Sequence, residues 1–116
     1  MIRFIYYPKC STCIKAKKFL LNNHVSFEER HIVENRLSKE ELQYLYKKSG
    51  LPLKKFFNTS GKLYKENHVK DQLPTMSEDQ QLELLASNGM LVKRPILETE
   101  NKVLVGFKED EYQKVI

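Results

Sequence analysis

The chain has 116 residues, 41% of them hydrophobic and 30% charged, which is the size and composition of one globular domain spanning residues 1–116. Its apolar runs are only a handful of residues long, so no membrane span is expected. The formal net charge is +5, but only four of the 20 basic residues are Arg, and direct nucleic-acid binding is therefore not expected. The first residues enter a strand pattern directly, without a basic and apolar leader, which predicts a cytoplasmic protein.

The first third of the chain has the pattern of a strand, a helix and a second strand. Ile2–Tyr6 is an apolar, β-rich run that stops at Pro8, and Ser11–Asn23 carries apolar residues at helical spacing. Val25–Ile32 begins with alternating apolar and polar residues, which is typical of a partly exposed strand. This order predicts a βαβ unit in which a right-handed crossover joins two parallel strands.

The middle of the chain is predicted to be helical. Ser38–Glu41 and Ser77–Gln80 each have the sequence of a capping box, in which the Ser hydroxyl and the Glu or Gln side chain satisfy free amides at a helix start. The first helix is expected to end near Gly50 and the second at Asn88-Gly89. Two shorter helical pieces are predicted between them, Leu53–Phe57 and Lys62–Leu73.

The last part of the chain is predicted to form a hairpin and a short helix. Met90–Leu97, interrupted by Pro95, and Val103–Phe107 have strand composition, and the polar connection Glu98–Lys102 separates them. Lys108–Val115 is predicted to be the final helix. The whole order predicts an α/β fold with a small mixed sheet.

Cys10 and Cys13 form the pattern with the clearest chemistry. They are too few and too close together to staple a fold, so the Cys10-Ser11-Thr12-Cys13 spacing indicates redox chemistry or metal binding. Cys10 is expected at a helix start, where free amides, the helix dipole and the neighbouring Lys9 lower the pKa of its thiol. Cys13 lies one turn later on the same face. Cys10 is therefore predicted to be the nucleophile, and Cys13 the thiol that resolves a mixed disulfide.

Two other interpretations of the cysteine pair stay open. A zinc site needs two further ligands, and the spacing of His24 and His31 does not fit a zinc finger. The two cysteines could also simply pack in the core, as free cysteines often do. The expected position between a strand and a helix favours redox chemistry over both, and no metal is predicted. The histidines, His68 included, are expected to be surface or loop residues.

Three segments together resemble the arsenate reductase (ArsC) and Spx family, and the resemblance covers nearly the whole chain. The segments are Tyr7–Cys13, Leu91–Ile96 and Val105–Lys108. The resemblance implies a thioredoxin-like fold, βαβ plus ββα, with a helical insertion over about residues 38–88. It also implies that the Arg94–Pro95 peptide bond is cis and that Pro95 lies beside the Cys10 sulfur.

The resemblance further implies a site for an anionic substrate next to the nucleophile, formed by Ser11, Thr12, Arg94 and Pro95. Glutaredoxin-coupled arsenate reductases lack the second cysteine and surround the oxyanion with three arginines. Only Arg94 matches here; Asn58 stands at the second position, and the third falls near Gly106-Phe107. One Arg with helix amides holds a dianion more weakly than three arginines do, so the sequence argues against arsenate reduction.

The second cysteine resembles that of Spx, a regulator that binds the C-terminal domain of the RNA polymerase α subunit. In that group, a Gly matching Gly50 and a basic residue matching Lys93 or Arg94 lie at the polymerase contact. The chain is shorter than Spx, and its centre and ending resemble a short, uncharacterised ArsC-like branch.

Three functions follow, in order of preference. The first is a cytoplasmic thiol-disulfide oxidoreductase without a bound cofactor, acting on a disulfide or small oxyanion and regenerated by thioredoxin, glutaredoxin or glutathione. The second is a redox-sensing regulator that binds the RNA polymerase α C-terminal domain. The third is an arsenate reductase.

Overall fold

A sheet of four strands lies at the centre of the computed structural model, which describes residues 1–116. The strands are β1 (Ile2–Tyr6), β2 (Phe27–His31), β3 (Ile96–Glu98) and β4 (Val103–Val105). The helices are α1 (Ser11–Asn22), α2 (Lys39–Ser49), α3 (Lys62–Glu66), α4 (Val69–Gln72), α5 (Glu78–Ser87) and α6 (Glu109–Gln113). None of these helices is long and apolar enough to cross a membrane.

The topology is that of a thioredoxin-like fold, as the family resemblance implies. The strand order is β2-β1-β3-β4, with β1 and β2 parallel and the other pairs antiparallel. One half of the fold is β1-α1-β2 and the other is β3-β4-α6, while α2 to α5 form the insertion between β2 and β3. The sheet is therefore small and mixed, and the two halves meet where β1 pairs with β3.

The two central strands are buried on both faces, because helices cover the sheet on each side. Phe4 and Leu97 pack with α1 and α6, whereas their neighbours Ile5 and Ile96 pack with the helical insertion. All four side chains are completely buried. Double burial explains why Ile2–Tyr6 is a nearly continuous apolar run and not an alternating one.

Both predicted capping boxes are present. The Ser38 hydroxyl accepts a hydrogen bond from the Glu41 amide at 3.1 Å, and the Glu41 carboxylate accepts one from the Ser38 amide at 3.0 Å. Ser77 and Gln80 make the same reciprocal pair at 3.1 and 3.0 Å. The predicted end of α2 is also confirmed, since Gly50 adopts a left-handed conformation with φ of 70°.

The predicted strand Met90–Leu97 is wrong over most of its length. Gly89–Leu91 forms a single 3₁₀ turn, and β3 begins only at Ile96. Pro95, which has no amide hydrogen to donate, precedes the strand and does not interrupt it. Lys62–Leu73 also differs, because His68 has a φ of 51° and separates α3 from α4. The other elements lie where predicted, with ends shifted by one or two residues.

Glu98 is a buried carboxylate at the end of β3 and does not belong to the polar connection in which it was predicted. It accepts hydrogen bonds from Arg3 Nε of β1 at 2.7 Å and from Lys48 Nζ of α2 at 2.8 Å. Burial alone would raise the pKa of Glu98, but the hydrogen bonds from Lys48 and Arg3 outweigh it and hold that pKa below its usual value. This cluster joins the insertion to two strands of the sheet.

We expect Glu98→Gln to lower the free energy of unfolding by about 2 kcal/mol near neutral pH, measured by urea denaturation. The substitution leaves two cations against a neutral amide. The cost lies below the roughly 3–5 kcal/mol of a fully buried pair, because 29% of the Arg3 side chain and 18% of the Lys48 side chain stay exposed to solvent.

Wild type and Glu98→Gln can also be compared as a function of pH. A carboxylate with a depressed native pKa contributes stability above its unfolded pKa and loses that contribution as the pH falls through the native pKa. The stability difference between wild type and Glu98→Gln should therefore shrink as the pH is lowered below about 4. Glu100→Gln removes an exposed carboxylate two residues away and is the control. An equal loss of stability in both variants would contradict the role of the cluster.

Candidate functional site

The turn between β1 and α1 presents Cys10 at the helix start. The Cys10 amide donates to the Tyr7 carbonyl at 3.0 Å, and the Cys10 carbonyl accepts the first helical hydrogen bond, from the Ile14 amide, also at 3.0 Å. Cys10 is thus the N-cap residue of α1 and has an extended backbone. The amides of Ser11–Cys13 form the first turn and have no helical acceptors, so they are free to act on an anion.

The Cys10 thiol is partly accessible, and its pKa is lowered. Partial burial opposes its ionisation, but the amide and thiol of Cys13, the amide of Thr12 and the charge of Arg94 outweigh burial and lower the pKa of Cys10. The Cys10 side chain makes no capping hydrogen bond. The Cys13, Thr12 and Arg94 groups nevertheless stabilise a negative charge on its sulfur. The structure therefore favours a thiolate at this position.

Cys13 differs sharply from Cys10. It is completely buried, and burial together with the neighbouring Cys10 raises the pKa of its thiol to about 12, although the Tyr7 backbone acts to lower it. The two thiols, both unoxidised, interact with each other in the first turn of α1. One accessible, acidic thiol thus lies beside one buried, weakly acidic thiol.

Arg94 comes from the segment before β3 and acts on Cys10 through its charge. Its guanidinium lies over the Tyr7 ring, with Cζ 5.3 Å from the ring centroid. Its Nη1 donates to the carbonyls of Met90 and Val92, at 3.1 and 3.3 Å. Its Nε is buried and has no hydrogen-bond partner. A buried donor without an acceptor is costly, so Arg94 Nε is an unsatisfied group in this segment.

The other predicted substrate-site residues flank these groups. Ser11 and Thr12 are exposed in the first turn of α1. Pro95 is buried, and the Arg94–Pro95 peptide bond is cis, as the family resemblance implies. The Pro95 carbonyl accepts from the Gly106 amide at 2.8 Å, which fixes this segment to the end of β4.

Neither position expected to hold a further arginine supplies a guanidinium. Asn58 lies beside the segment that leads to Arg94, since its amide donates to the Leu91 carbonyl at 2.8 Å. At Gly106, φ is +86° and a Cβ atom would lie 3.7 Å from Lys93 Cε. The aliphatic part of Lys93 therefore covers this position, and the site is less positive than one with three arginines.

Sequence reasoning missed a buried phenol behind Cys13. Tyr112 of α6 is completely buried, and its hydroxyl donates to the Gly106 carbonyl at 3.3 Å. Burial, with a smaller contribution from the nearby Cys13, raises the pKa of Tyr112 far above its usual value, so the phenol stays neutral. Tyr112 was visible in the sequence only as the one aromatic residue of a charged helix, Glu109–Gln113.

None of the three histidines is among the groups that act on the cysteine thiols, although the His31 ring packs edge-on against Tyr7, with centroids 5.7 Å apart. His24 and His68 are exposed and have positive φ, in agreement with the predicted loop positions. His31 is half-buried, and its Nδ1 accepts from the amides of Val33 and Glu34 at 3.2 and 3.0 Å. No group of three or more His, Cys, Asp or Glu side chains is arranged to hold a metal ion.

Comparison with known proteins gives a family assignment. The model of the ArsC family matches residues 5–115. The uncharacterized protein YusI of Bacillus subtilis is 58% identical and is aligned over 97% of this chain and 96% of its own. The global transcriptional regulator Spx of Streptococcus agalactiae is 32% identical, over 96% of this chain and 80% of Spx.

Solved structures agree with this result. An ArsC family related protein from Bacteroides fragilis is 53% identical, with a TM-score of 0.94 over 97% of this chain and 95% of that one. A possible arsenate reductase from Streptococcus mutans UA159 is 40% identical, with a TM-score of 0.88 over 97% and 98% of the two chains. The chain therefore belongs to the ArsC family.

Proposed function

We propose that this protein is a thiol-disulfide oxidoreductase in which Cys10 is the nucleophile and Cys13 the resolving thiol. The observation that carries the proposal is the unequal acidity of two thiols one helical turn apart, one accessible and one buried. Two cysteines that only packed in the core would not need thiols of different acidity. A nucleophile must be ionised and reachable, whereas a resolving thiol needs only to reach its neighbour.

The chemistry is a two-electron exchange. The Cys10 thiolate attacks one sulfur of a substrate disulfide, the substrate S–S bond breaks, and the first substrate thiolate leaves. The Cys13 thiol loses its proton and attacks the Cys10 sulfur of the mixed disulfide, which releases the second substrate thiolate. The substrate is then reduced to two thiols and the protein is oxidised to a Cys10–Cys13 disulfide. Thioredoxin, glutaredoxin or glutathione in the cytoplasm would supply two electrons to restore the dithiol.

The groups around the pair suit an anionic substrate or leaving thiolate. The charge of Arg94 acts on Cys10, and the amides of Thr12 and Cys13 act on the same sulfur. Ser11 and Thr12 are exposed at the entrance. With Pro95 they form the substrate site that we propose.

Replacing the resolving thiol tests the proposal. We expect Cys13→Ser to accumulate a mixed disulfide between Cys10 and its substrate or reductant, because the resolving step is lost while the attacking thiolate is kept. The adduct is measured by non-reducing electrophoresis and mass spectrometry after incubation with oxidised glutathione and with a cytoplasmic extract. The Cys10→Ser variant is the matched control and should form no such adduct. Equal adduct formation in both variants, or none in either, would overturn the assignment of the two roles.

A second candidate function is redox-sensitive regulation through the RNA polymerase α C-terminal domain. It is favoured by the 32% identity to Spx and by Gly50, which is exposed at the end of α2. The chain also places a cation, Lys93, immediately before Arg94. Binding of the purified α C-terminal domain that changes when the Cys10–Cys13 disulfide forms would support this function, and no binding in either redox state would reject it.

Arsenate reduction is a third candidate, favoured by the 40% identity to the Streptococcus mutans protein. Asn58 and the Gly106 region supply no second or third guanidinium, so a dianion would rest on Arg94 and the helix amides. Arsenate turnover coupled to a thiol system should then require Arg94 and disappear in Arg94→Ala. Absence of turnover in the wild-type protein would reject this candidate.

A further inference from the structure

A groove rich in lysine lies beside the cysteine site and has no part in the exchange chemistry. Three adjoining surface cavities form it: Lys55 and Lys93 line both the first and the second, and Lys54 and Thr59 line both the second and the third. We call this continuous feature the basic groove. Six lysines line it: Lys54, Lys55, Lys70, Lys93, Lys102 and Lys108.

The lysines of the basic groove are not neutralised by the protein itself. None of the six lies within ion-pair distance of a carboxylate; Lys17, Lys39 and Lys48 are the only paired lysines of the chain. Glu111 is the only acidic residue that lines the groove. A band of uncompensated positive charge repels itself and attracts an anionic partner.

A strand edge that is open at Val105 forms part of the floor of the basic groove. β4 is the last strand of the sheet, and Val103–Val105 line the first cavity. In an antiparallel pair, every second residue of a strand is hydrogen-bonded to its partner strand. The Thr99 amide donates to the Lys102 carbonyl and the Gly106 amide to the Pro95 carbonyl, so Leu104, which lies between these pairs, also bonds to β3. The amides and carbonyls of Val103 and Val105 therefore point away from β3. Val103 is only 3% exposed, so its outward groups are covered, whereas those of the partly exposed Val105 can pair with another extended chain.

We propose that the basic groove binds an extended acidic segment of a partner protein, which pairs with the main chain of β4 at Val105 and sets its carboxylates against the lysines. Main-chain hydrogen bonds to Val105 would fix the register of the bound segment, and the charge of the lysines would select an acidic one. This inference goes beyond the exchange function, because neither cysteine takes part in the binding. The groove runs beside the segment that carries Arg94, so a bound segment would lie close to the redox site.

The side chains of the basic groove favour a peptide over nucleic acid. All its cations are Lys, and it holds no Arg for bidentate contacts with bases or phosphates. Its aromatic rings, Phe57 and Tyr64, are 2% and 6% exposed and cannot stack with bases. The lysines are also spread across three cavities and do not converge on one point, which suits an extended chain better than a single small anion.

The probe is a fluorescein-labelled peptide of about eight residues with alternating Glu and Val, titrated with the protein and followed by fluorescence anisotropy at low salt. We expect the double variant Lys55→Glu/Lys102→Glu to bind about tenfold more weakly than wild type. The matched control is Lys15→Glu/Lys18→Glu, which changes the net charge equally at two exposed, unpaired lysines of α1. It should change the affinity less than about twofold. Circular dichroism verifies that both variants are folded.

Further outcomes separate this proposal from its alternatives. An equal loss of affinity in both double variants would show unspecific charge attraction and overturn it. A peptide of the same charge with Pro in place of Val cannot pair with β4, and equally tight binding of that peptide would overturn main-chain pairing at Val105. Tighter binding of single-stranded oligothymidylate, with the same dependence on Lys55 and Lys102, would overturn the peptide as partner. The Cys10→Ser variant should bind the peptide as wild type does, so failure of the exchange function would leave this result unchanged.

Discussion

At neutral pH, iodoacetamide should modify Cys10 at least about a hundred times faster than Cys13. Partial burial of Cys10 is outweighed by the amide and thiol of Cys13, the amide of Thr12 and the charge of Arg94, which lower its pKa. Burial raises the pKa of Cys13 to about 12, so only roughly one molecule in 10⁵ carries a Cys13 thiolate near pH 7. The lower nucleophilicity of a more acidic thiolate offsets part of this difference, but far from all of it.

Single-cysteine variants measure the two rates separately. Cys13→Ser reports on Cys10 and Cys10→Ser reports on Cys13, with modification followed by mass spectrometry between about pH 5 and pH 10. Because the pKa of Cys10 is lowered, its rate should rise and reach a plateau at a lower pH than that of a free cysteine, whose pKa is about 8.5. A Cys10 rate that still rises above about pH 9, or a Cys13 rate equal to it, would contradict an activated nucleophile.

The part of the site that could be predicted from sequence is the part that is local in sequence. Cys10 and Cys13 occupy one helical turn, so their spacing alone places them together, and the helix start supplies the amides that act on Cys10. The capping boxes at Ser38 and Ser77 were equally predictable, because each is complete within four residues. Arg94 could be assigned only through family resemblance, since nothing in its neighbours indicates that it returns to Cys10.

The residues that were missed depend on partners far away in the chain. The sequence around Glu98 is that of a polar connection. Its role depends on hydrogen bonds from Arg3, 95 residues earlier, and from Lys48. The sequence around Tyr112 is that of a charged, exposed helix. Tyr112 is buried only because α6 packs against the face of α1 that carries Cys13 and Ala16. Such roles arise from tertiary contacts, which local propensity does not encode.

The helical insertion is tied to the segment that carries Arg94 by backbone hydrogen bonds. The Asn58 amide donates to the Leu91 carbonyl at 2.8 Å, and the Lys93 amide donates to the Phe56 carbonyl at 2.7 Å. The cation beside Cys10 is therefore held by the insertion as well as by the sheet. A change in the insertion that moves this segment would move Arg94 and so alter the pKa of Cys10. The insertion is therefore mechanically coupled to the redox site.

A substitution at Gly89 can test this coupling between the insertion and Cys10. Sequence analysis assigns it to the end of α5, but that helix ends at Ser87 and Gly89 has no positive φ. It is a glycine for a different reason: a Cβ atom there would lie 2.1 Å from the carbonyl oxygen of Ile32 and 2.8 Å from its carbonyl carbon. Both are backbone atoms that cannot rotate away, so the chain after β2 and the turn before Arg94 approach each other without room for a methyl group.

We therefore expect Gly89→Ala to lower the free energy of unfolding by about 3 kcal/mol, measured by urea denaturation. Gly50→Ala is the matched control, because Gly50 has a φ of +70° but nothing within 4 Å of its Cβ position, and left-handed strain alone costs about 1 kcal/mol. Folded Gly89→Ala should also need a higher pH for half-maximal alkylation of Cys10, since displacing the turn moves Arg94 away from the thiolate. Gly50→Ala should leave that profile unchanged. If the two variants lose the same stability and keep the same alkylation profile, the close approach at Ile32 does not position the cation, and the acidity of Cys10 rests on the helix start alone.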